Sequence, residues 1–267
     1  MRAMRKWQLA LMALCLSAAM PALAKLQQRP VEWQLDGASY SGVLVYDDAG
    51  DARRPGVVMV PNWRGVNASA IDKAAQIAGD DYVVLVADVY GSQVRPKGND
   101  EAAAAAQPLL KDRARLRARA GAALDALKAQ AGTAPLDATR IAAVGFCFGG
   151  STVLEMARAG LPLAGVVSLH GGLVSPLPAA ADSGKVPMLV LNGAADRGVS
   201  AEDIARFGSE MDTAGADWQF VNFSGAVHCF AEADAGSDPA SNCRYDPRAA
   251  TRAWKMLDDF LEERLGD

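Results

Sequence analysis

Three residues of this chain have the types and the order needed for nucleophilic catalysis. Cys147 lies in Gly145-Phe146-Cys147-Phe148-Gly149-Gly150, between a short apolar run from Arg140 to Val144 and a stretch of helix formers from Ser151 to Ala159. That reads as strand, tight turn and helix, the setting of a nucleophile elbow. The small neighbours let helix and strand approach closely and leave the central side chain exposed. The usual elbow centres on serine, and here sulfur replaces oxygen. Cysteine is among the residues most often buried, so this motif alone reads more readily as a core thiol. Asp196 and His228 change that reading, because each follows the end of an apolar, strand-like run and they come after Cys147 as acid, then histidine.

The chemistry of such a set follows from proton affinities. A free thiol is only a few per cent thiolate at neutral pH, and a neighbouring imidazolium or a helix N-terminus favours the thiolate. His228 would hold the proton, and Asp196 would orient and stabilise the imidazolium. Thiolate attack on an ester or lactone carbonyl gives a tetrahedral oxyanion, its collapse leaves a thioester, and water opens the thioester with His228 as base. Activated esters, lactones and thioesters suit a thiolate nucleophile better than amides, because the thiolate leaves more easily than an amine.

The elements that must position these residues are legible as alternating strands and helices. Val31 to Leu35 and Tyr40 to Tyr46 form an opening hairpin around Asp36 and Gly37, and Asp47 to Pro55 is a polar turn. Gly56 to Val60 and Tyr82 to Ala87 are continuous apolar runs, the mark of strands buried on both faces. Between them Ala68 to Ile77 reads as a helix, and Glu101 to Gln130 is helical with a break at Pro108. Leu163 to Leu169, Val186 to Leu191 and Trp218 to Phe223 are further strands, with Ala201 to Thr213 and Arg248 to Leu265 as helices. The alternation predicts an α/β fold with a mostly parallel central sheet covered by helices on both faces. In such sheets functional loops leave the carboxyl ends of strands, where Cys147, Asp196 and His228 fall. Their order is that of α/β-hydrolases.

The 267-residue chain, 51% hydrophobic and 22% charged, suffices for one large domain. Its net charge of -4 offers no basic field for nucleic acid or an anionic membrane. Arg2, Arg5 and Lys6 precede an apolar run from Leu9 to Met20, and Ala22-Leu23-Ala24 forms a small-x-small cleavage pattern. Residues 1–24 are therefore expected to be a cleaved signal peptide, leaving a single domain over 25–267, periplasmic or secreted and without a membrane anchor. The run is shorter than the ~20 residues a spanning helix needs. Leader removal takes Cys15 away and leaves Cys147, Cys229 and Cys243. An odd count in an oxidising compartment predicts one bridge and one free thiol. Cys229 and Cys243, separated by the turn-rich stretch from Ala235 to Ala240, are the expected pair, and Cys147 the free thiol.

Two further residues at strand ends compete for the roles of base and acid. His170, the only other histidine, follows the strand just after the nucleophile, too early for the triad base, and is expected to order a loop or line the pocket. Asp88 ends a strand before the nucleophile and reads as loop-fixing. Two scattered histidines give no metal-ligand cluster, so neither metal nor cofactor is expected.

With these residues placed, the chain resembles the dienelactone hydrolase family of α/β-hydrolases, which use Cys, Asp and His. The resemblance spans roughly residues 30 to 265. It is carried by Gly145 to Gly150, Gly65-Val66-Asn67, Asp88-Val89-Tyr90, and Gly225-Ala226-Val227-His228 followed by Phe230. It implies oxyanion donors at the backbone amides of Trp63 and Phe148, and pocket positions at Asn62, Arg64, Tyr90 and His170. The sequence departs from the family where Asn62 stands in place of a Glu that holds the resting thiol, which leaves activation to His228. It also lacks the two arginines that hold a substrate carboxylate, with Gly91-Ser92-Gln93 at one place and Ala231-Glu232 at the other, where Glu232 is expected to repel an anion. A neutral small-molecule ester or lactone is the expected partner, with Arg64, beside the oxyanion loop, and Arg197, beside the acid, as the residues that could bind an anionic one from new positions. A non-catalytic binding or scaffold protein, and a thioesterase or other acyl-transfer enzyme on the same triad, stay open as alternatives.

Overall fold

Successive side chains of the apolar strands point to opposite faces of the sheet, and each face is covered by its own helices. The computed structural model describes residues 26–49, 52–179 and 185–266; the expected signal peptide lies outside them. The strands are β1 (Leu26–Leu35), β2 (Ala38–Asp47), β3 (Arg54–Val60), β4 (Val83–Val86), β5 (Leu136–Phe146), β6 (Val166–Leu169), β7 (Met188–Gly193) and β8 (Trp218–Phe223). The helices are α1 (Ala68–Ala78), α2 (Asn99–Lys111), α3 (Arg113–Lys128), α4 (Phe148–Arg158), α5 (Ala201–Thr213) and α6 (Pro247–Leu265). Val58 and Val60 of β3 join a core with α2 to α5, whereas Val57 and Met59 join one with α1 and α6.

The eight strands form one sheet in the order β1-β2-β4-β3-β5-β6-β7-β8. The pairs β1/β2 and β2/β4 are antiparallel, and every other pair is parallel. This is the expected mostly parallel sheet with helices on both faces. The opening hairpin turns at Asp36 and Gly37, both at positive φ, which suits a two-residue turn matched to the twist of its strands. From β3 the chain first adds β4 on one side and then β5 on the other. The crevice at the carboxyl ends of β3 and β5 is thus a topological switch point, the favoured place for a site in such a sheet.

Several boundaries differ from expectation, with β1 and β5 beginning earlier, at Leu26 and Leu136, and two differences falling on helices. The helical stretch after Gly98 breaks at Asp112, not at Pro108, which lies inside α2. Asp112 leaves helical geometry and its side chain accepts the Arg115 N–H, capping α3. Helix α4 starts at Phe148 rather than Ser151, so its first turn begins directly after the thiol.

Candidate active site

Cys147 stands between the last residue of β5 and the first of α4, at φ +54°. A non-glycine residue pays a steric penalty there, and the surrounding packing must impose the conformation. The glycines explain how it does so. A Cβ on Gly145 would lie 2.1 Å from the Gly149 carbonyl oxygen, and one on Gly149 would lie 1.9 Å from that of Val60. No side chain fits at either place, and without side chains α4 settles against β3 and β5. The Cys147 backbone N–H then reaches the Leu169 oxygen at 3.0 Å and Nδ1 of His170 at 3.1 Å.

The structure brings Cys147, Asp196 and His228 together. Nε2 of His228 lies 3.0 Å from Cys147 Sγ, and its Nδ1 lies 2.7 Å from Asp196 Oδ2. Asp196 leaves the end of β7 and His228 the loop after β8, whose parallel pairing sets their height above the sheet. The other Asp196 oxygen accepts N–H groups from Gly198 at 2.8 Å and Asn242 at 2.9 Å. Burial opposes the charge of Asp196, but the bonds from His228, Asn242 and Gly198 outweigh it and hold its pKa at about 2. Burial likewise opposes a charged His228, yet its bonds to Asp196 and Cys147 raise its pKa to about 10. The geometry therefore favours an imidazolium between two acceptors.

The disulfide pairs Cys229 with Cys243, and Cys147 is the free cysteine among the described residues. Cys229 directly follows His228, and His228 makes an isolated parallel bridge with Cys243. Among the described residues, four non-glycine residues have positive φ: Asp36 in the hairpin, and Cys147, His170 and Cys229 around this site. Backbone strain is gathered where side chains must be aimed.

The cleft bearing Cys147 has a volume of about 640 Å³ and is lined by Asn62, Trp63, Arg64, Asn67, Asn99, Glu232 and both bridged cysteines, among others. Trp63 follows β3, whose end is paired with Gly145. Neither the Trp63 nor the Phe148 amide donates to another described residue in the hydrogen-bond pattern, as oxyanion donors require. Arg64 lines this cleft and is tied to the Lys97 carbonyl and to Oδ1 of Asn99.

Several expected pocket residues act from behind the wall. Tyr90 is buried, and its hydroxyl donates to the Trp63 carbonyl at 3.1 Å, bracing the loop that carries the Trp63 amide. Burial, then the neighbouring Cys147 and Asp88 charges, raise its pKa. His170 is fully buried rather than exposed to the cleft, and burial together with His228 lowers its pKa well below the usual value. Arg197 bonds Asn242 and the Ala240 carbonyl and is not among the residues lining the cleft. Asp88 fixes its loop by accepting from the amides of Ser41, Tyr90 and Gly91 and pairing with Arg95.

Sequence reasoning missed the role of Glu232. Expected to repel an anion, it is instead buried, accepts from Asn62 Nδ2 at 2.5 Å and pairs with Lys73 at 3.2 Å. Asn62 meanwhile accepts the Arg64 amide on its Oδ1 at 3.0 Å. Asn242 was also missed. Its neighbour Cys243 was the only signal pointing to that loop.

The sequence matches the model of the dienelactone hydrolase family over residues 41–265. A dienelactone hydrolase-like promiscuous phosphotriesterase from metagenomic libraries is 33% identical, with a TM-score of 0.83 over 90% of this chain and 99% of that one. A Bradyrhizobium protein named as a probable 2-oxo-3-(5-oxofuran-2-ylidene)propanoate lactonase is 29% identical over 225 residues, 80% of this chain and 85% of its own length. A Caenorhabditis elegans protein is 32% identical over 154 residues, 56% of this chain and 94% of its own length.

Proposed function

The chain belongs to the dienelactone hydrolase family, and from that premise we propose that it hydrolyses carboxylic esters or lactones through a thioester on Cys147. The observation that carries the reading is the placement of His228, with Nε2 3.0 Å from the thiol sulfur and Nδ1 2.7 Å from Asp196.

In the resting site the thiol proton resides on His228, and Asp196 stabilises the imidazolium. The Cys147 sulfur forms a bond to the substrate carbonyl carbon, and the carbonyl π pair moves to oxygen, where the Trp63 and Phe148 amides receive it. One such donor is typically worth ~2.7 to 4 kcal/mol in the transition state. Collapse breaks the bond to the leaving alkoxide, which takes the proton from His228 Nε2. Neutral His228 then accepts a proton from water as its oxygen attacks the thioester. The sulfur departs, the acid is released, and the thiolate–imidazolium pair returns.

The mature protein is a single domain over 25–267, exported after loss of residues 1–24. A disulfide beside the histidine supports an oxidising compartment. The test is a panel of activated esters and lactones assayed with the mature protein and with Cys147→Ala. Turnover that vanishes in the variant is expected; no turnover on any member would favour a binding protein instead. A neutral phosphotriester belongs in the panel, because the 33%-identical neighbour is named a promiscuous phosphotriesterase.

A further inference from the structure

Resting on this reading of Cys147, we propose that Glu232 is a positioning residue for the reaction, one buried carboxylate that braces the two oxyanion donors, the Trp63 loop through Asn62 and, through His170, the elbow backbone that carries the Phe148 amide.

Oε2 of Glu232 accepts from Asn62 Nδ2 at 2.5 Å and faces Lys73 Nζ at 3.2 Å. Asn62 in turn accepts the Arg64 N–H at 3.0 Å and its carbonyl accepts that of Gly65 at 2.9 Å. Asn62 thereby anchors the turn on both sides of Trp63, the residue whose amide is assigned to the oxyanion. The first arm of the brace runs from Glu232 through Asn62 to that amide.

The second arm begins at Oε1 of Glu232, which lies 3.8 Å from His170 Nε2. Neither atom has a hydrogen-bond partner, although both are buried. The tautomer of His170 follows from its other nitrogen. Nδ1 accepts the Cys147 N–H at 3.1 Å, so in a neutral ring the proton is on Nε2 and points toward Glu232. Burial lowers the pKa of His170 and keeps the ring neutral. A donor and an acceptor, each without another partner, face one another across a gap too short for a water in line. A small closure makes them a hydrogen bond, and that bond fixes the ring against the Cys147 amide.

The carboxylate is itself held. Its backbone N–H donates to the Cys229 carbonyl, one residue past His228, and Lys73 also pairs with Asp234 at 3.3 Å. Glu232 therefore joins the loop bearing the histidine to the loop bearing the oxyanion donor and to the elbow. A group that only filled space would need none of these polar contacts.

The experiment separates positioning from general damage by comparing two reactions of the same thiol. Ester hydrolysis develops an oxyanion, whereas alkylation of Cys147 by iodoacetamide does not. In Glu232→Gln, kcat is expected to fall about 10- to 100-fold, a partial loss of the 10²- to 10³-fold effect of an oxyanion donor. KM and the alkylation rate are expected to stay within about threefold of the parent. His170→Asn keeps an acceptor near the Nδ1 position and removes the end facing Glu232. In that background, Glu232→Gln should cost at least threefold less than it does alone. Unchanged kcat, a parallel fall in alkylation, or equal cost in both backgrounds overturns the proposal. If Glu232→Gln does not fold, Asn62→Ala carries the same comparison of kcat with alkylation. Turnover retained by Cys147→Ala would instead remove the functional reading itself, a distinct result.

Discussion

Asn242 donates from Nδ2 to Oδ1 of Asp196 across 2.9 Å, from a loop that the Cys229–Cys243 bond closes. The same bond adjoins His228, so one covalent tie constrains both the histidine and a partner of the acid.

Opening this bridge is therefore expected to affect both stability and turnover. The 14-residue separation corresponds to about 3 kcal/mol in the chain-entropy description. Cys229→Ser/Cys243→Ser should melt at lower temperature and hydrolyse an activated ester more slowly, with the loss chiefly in kcat. Thermal denaturation and steady-state kinetics of the oxidised protein and the double variant check both.

Stability should also depend on pH through His228. Its pKa rises from 6.5 to about 10 on folding, because bonds to Asp196 and Cys147 outweigh the opposing effect of burial. The contribution is fully present below pH 6.5 and is lost as pH rises through about 10. Cys147→Ala removes one of the groups that raise this value, so its loss of stability across that window should be smaller. Urea titrations of both proteins at stepped pH measure the difference.

Tyr90 braces the Trp63 carbonyl with its hydroxyl, and Tyr90→Phe leaves that oxygen without this donor. A net hydrogen-bond contribution of about 0.5–1.5 kcal/mol predicts roughly a 2- to 13-fold fall in kcat/KM with the fold intact. Kinetics alongside a far-ultraviolet circular dichroism spectrum test it.

A preference for neutral substrates is expected from the missing arginines alone. Lys73 compensates Glu232, so repulsion by that carboxylate no longer contributes. What remains is the lack of two family arginines, at about 1.5–3 kcal/mol per charge-assisted bond or about 10²–10⁴ in kcat/KM together. Neutral esters should outperform carboxylated ones of similar size. A matched acid and methyl ester decide it, and a kcat/KM at least tenfold higher for the acid would contradict it.

Much of this arrangement was legible because it is written locally. Gly145 to Gly150 announce an elbow within six residues, and the apolar runs before Asp196 and His228 place both at strand ends. The cysteine count pointed to Cys229 and Cys243. Lys73 and Glu232, by contrast, meet from 159 positions apart, and no periodicity connects them. An acidic residue in a loop reads as solvated until the fold buries it, and so Glu232 and its facing His170 became visible only in three dimensions. The break after α2 was misplaced for a related reason. Proline looked like the interruption, but the cap that Asp112 provides to α3 decides where the chain turns.

The central claim is that Cys147 carries the acyl group. Mass spectrometry after rapid acid quench of the protein with a p-nitrophenyl ester tests it most directly. The account predicts a hydroxylamine-labile acyl adduct on the peptide containing Cys147, lost together with turnover in Cys147→Ala. Wild-type turnover by Cys147→Ala, or an adduct confined to another residue, would contradict it.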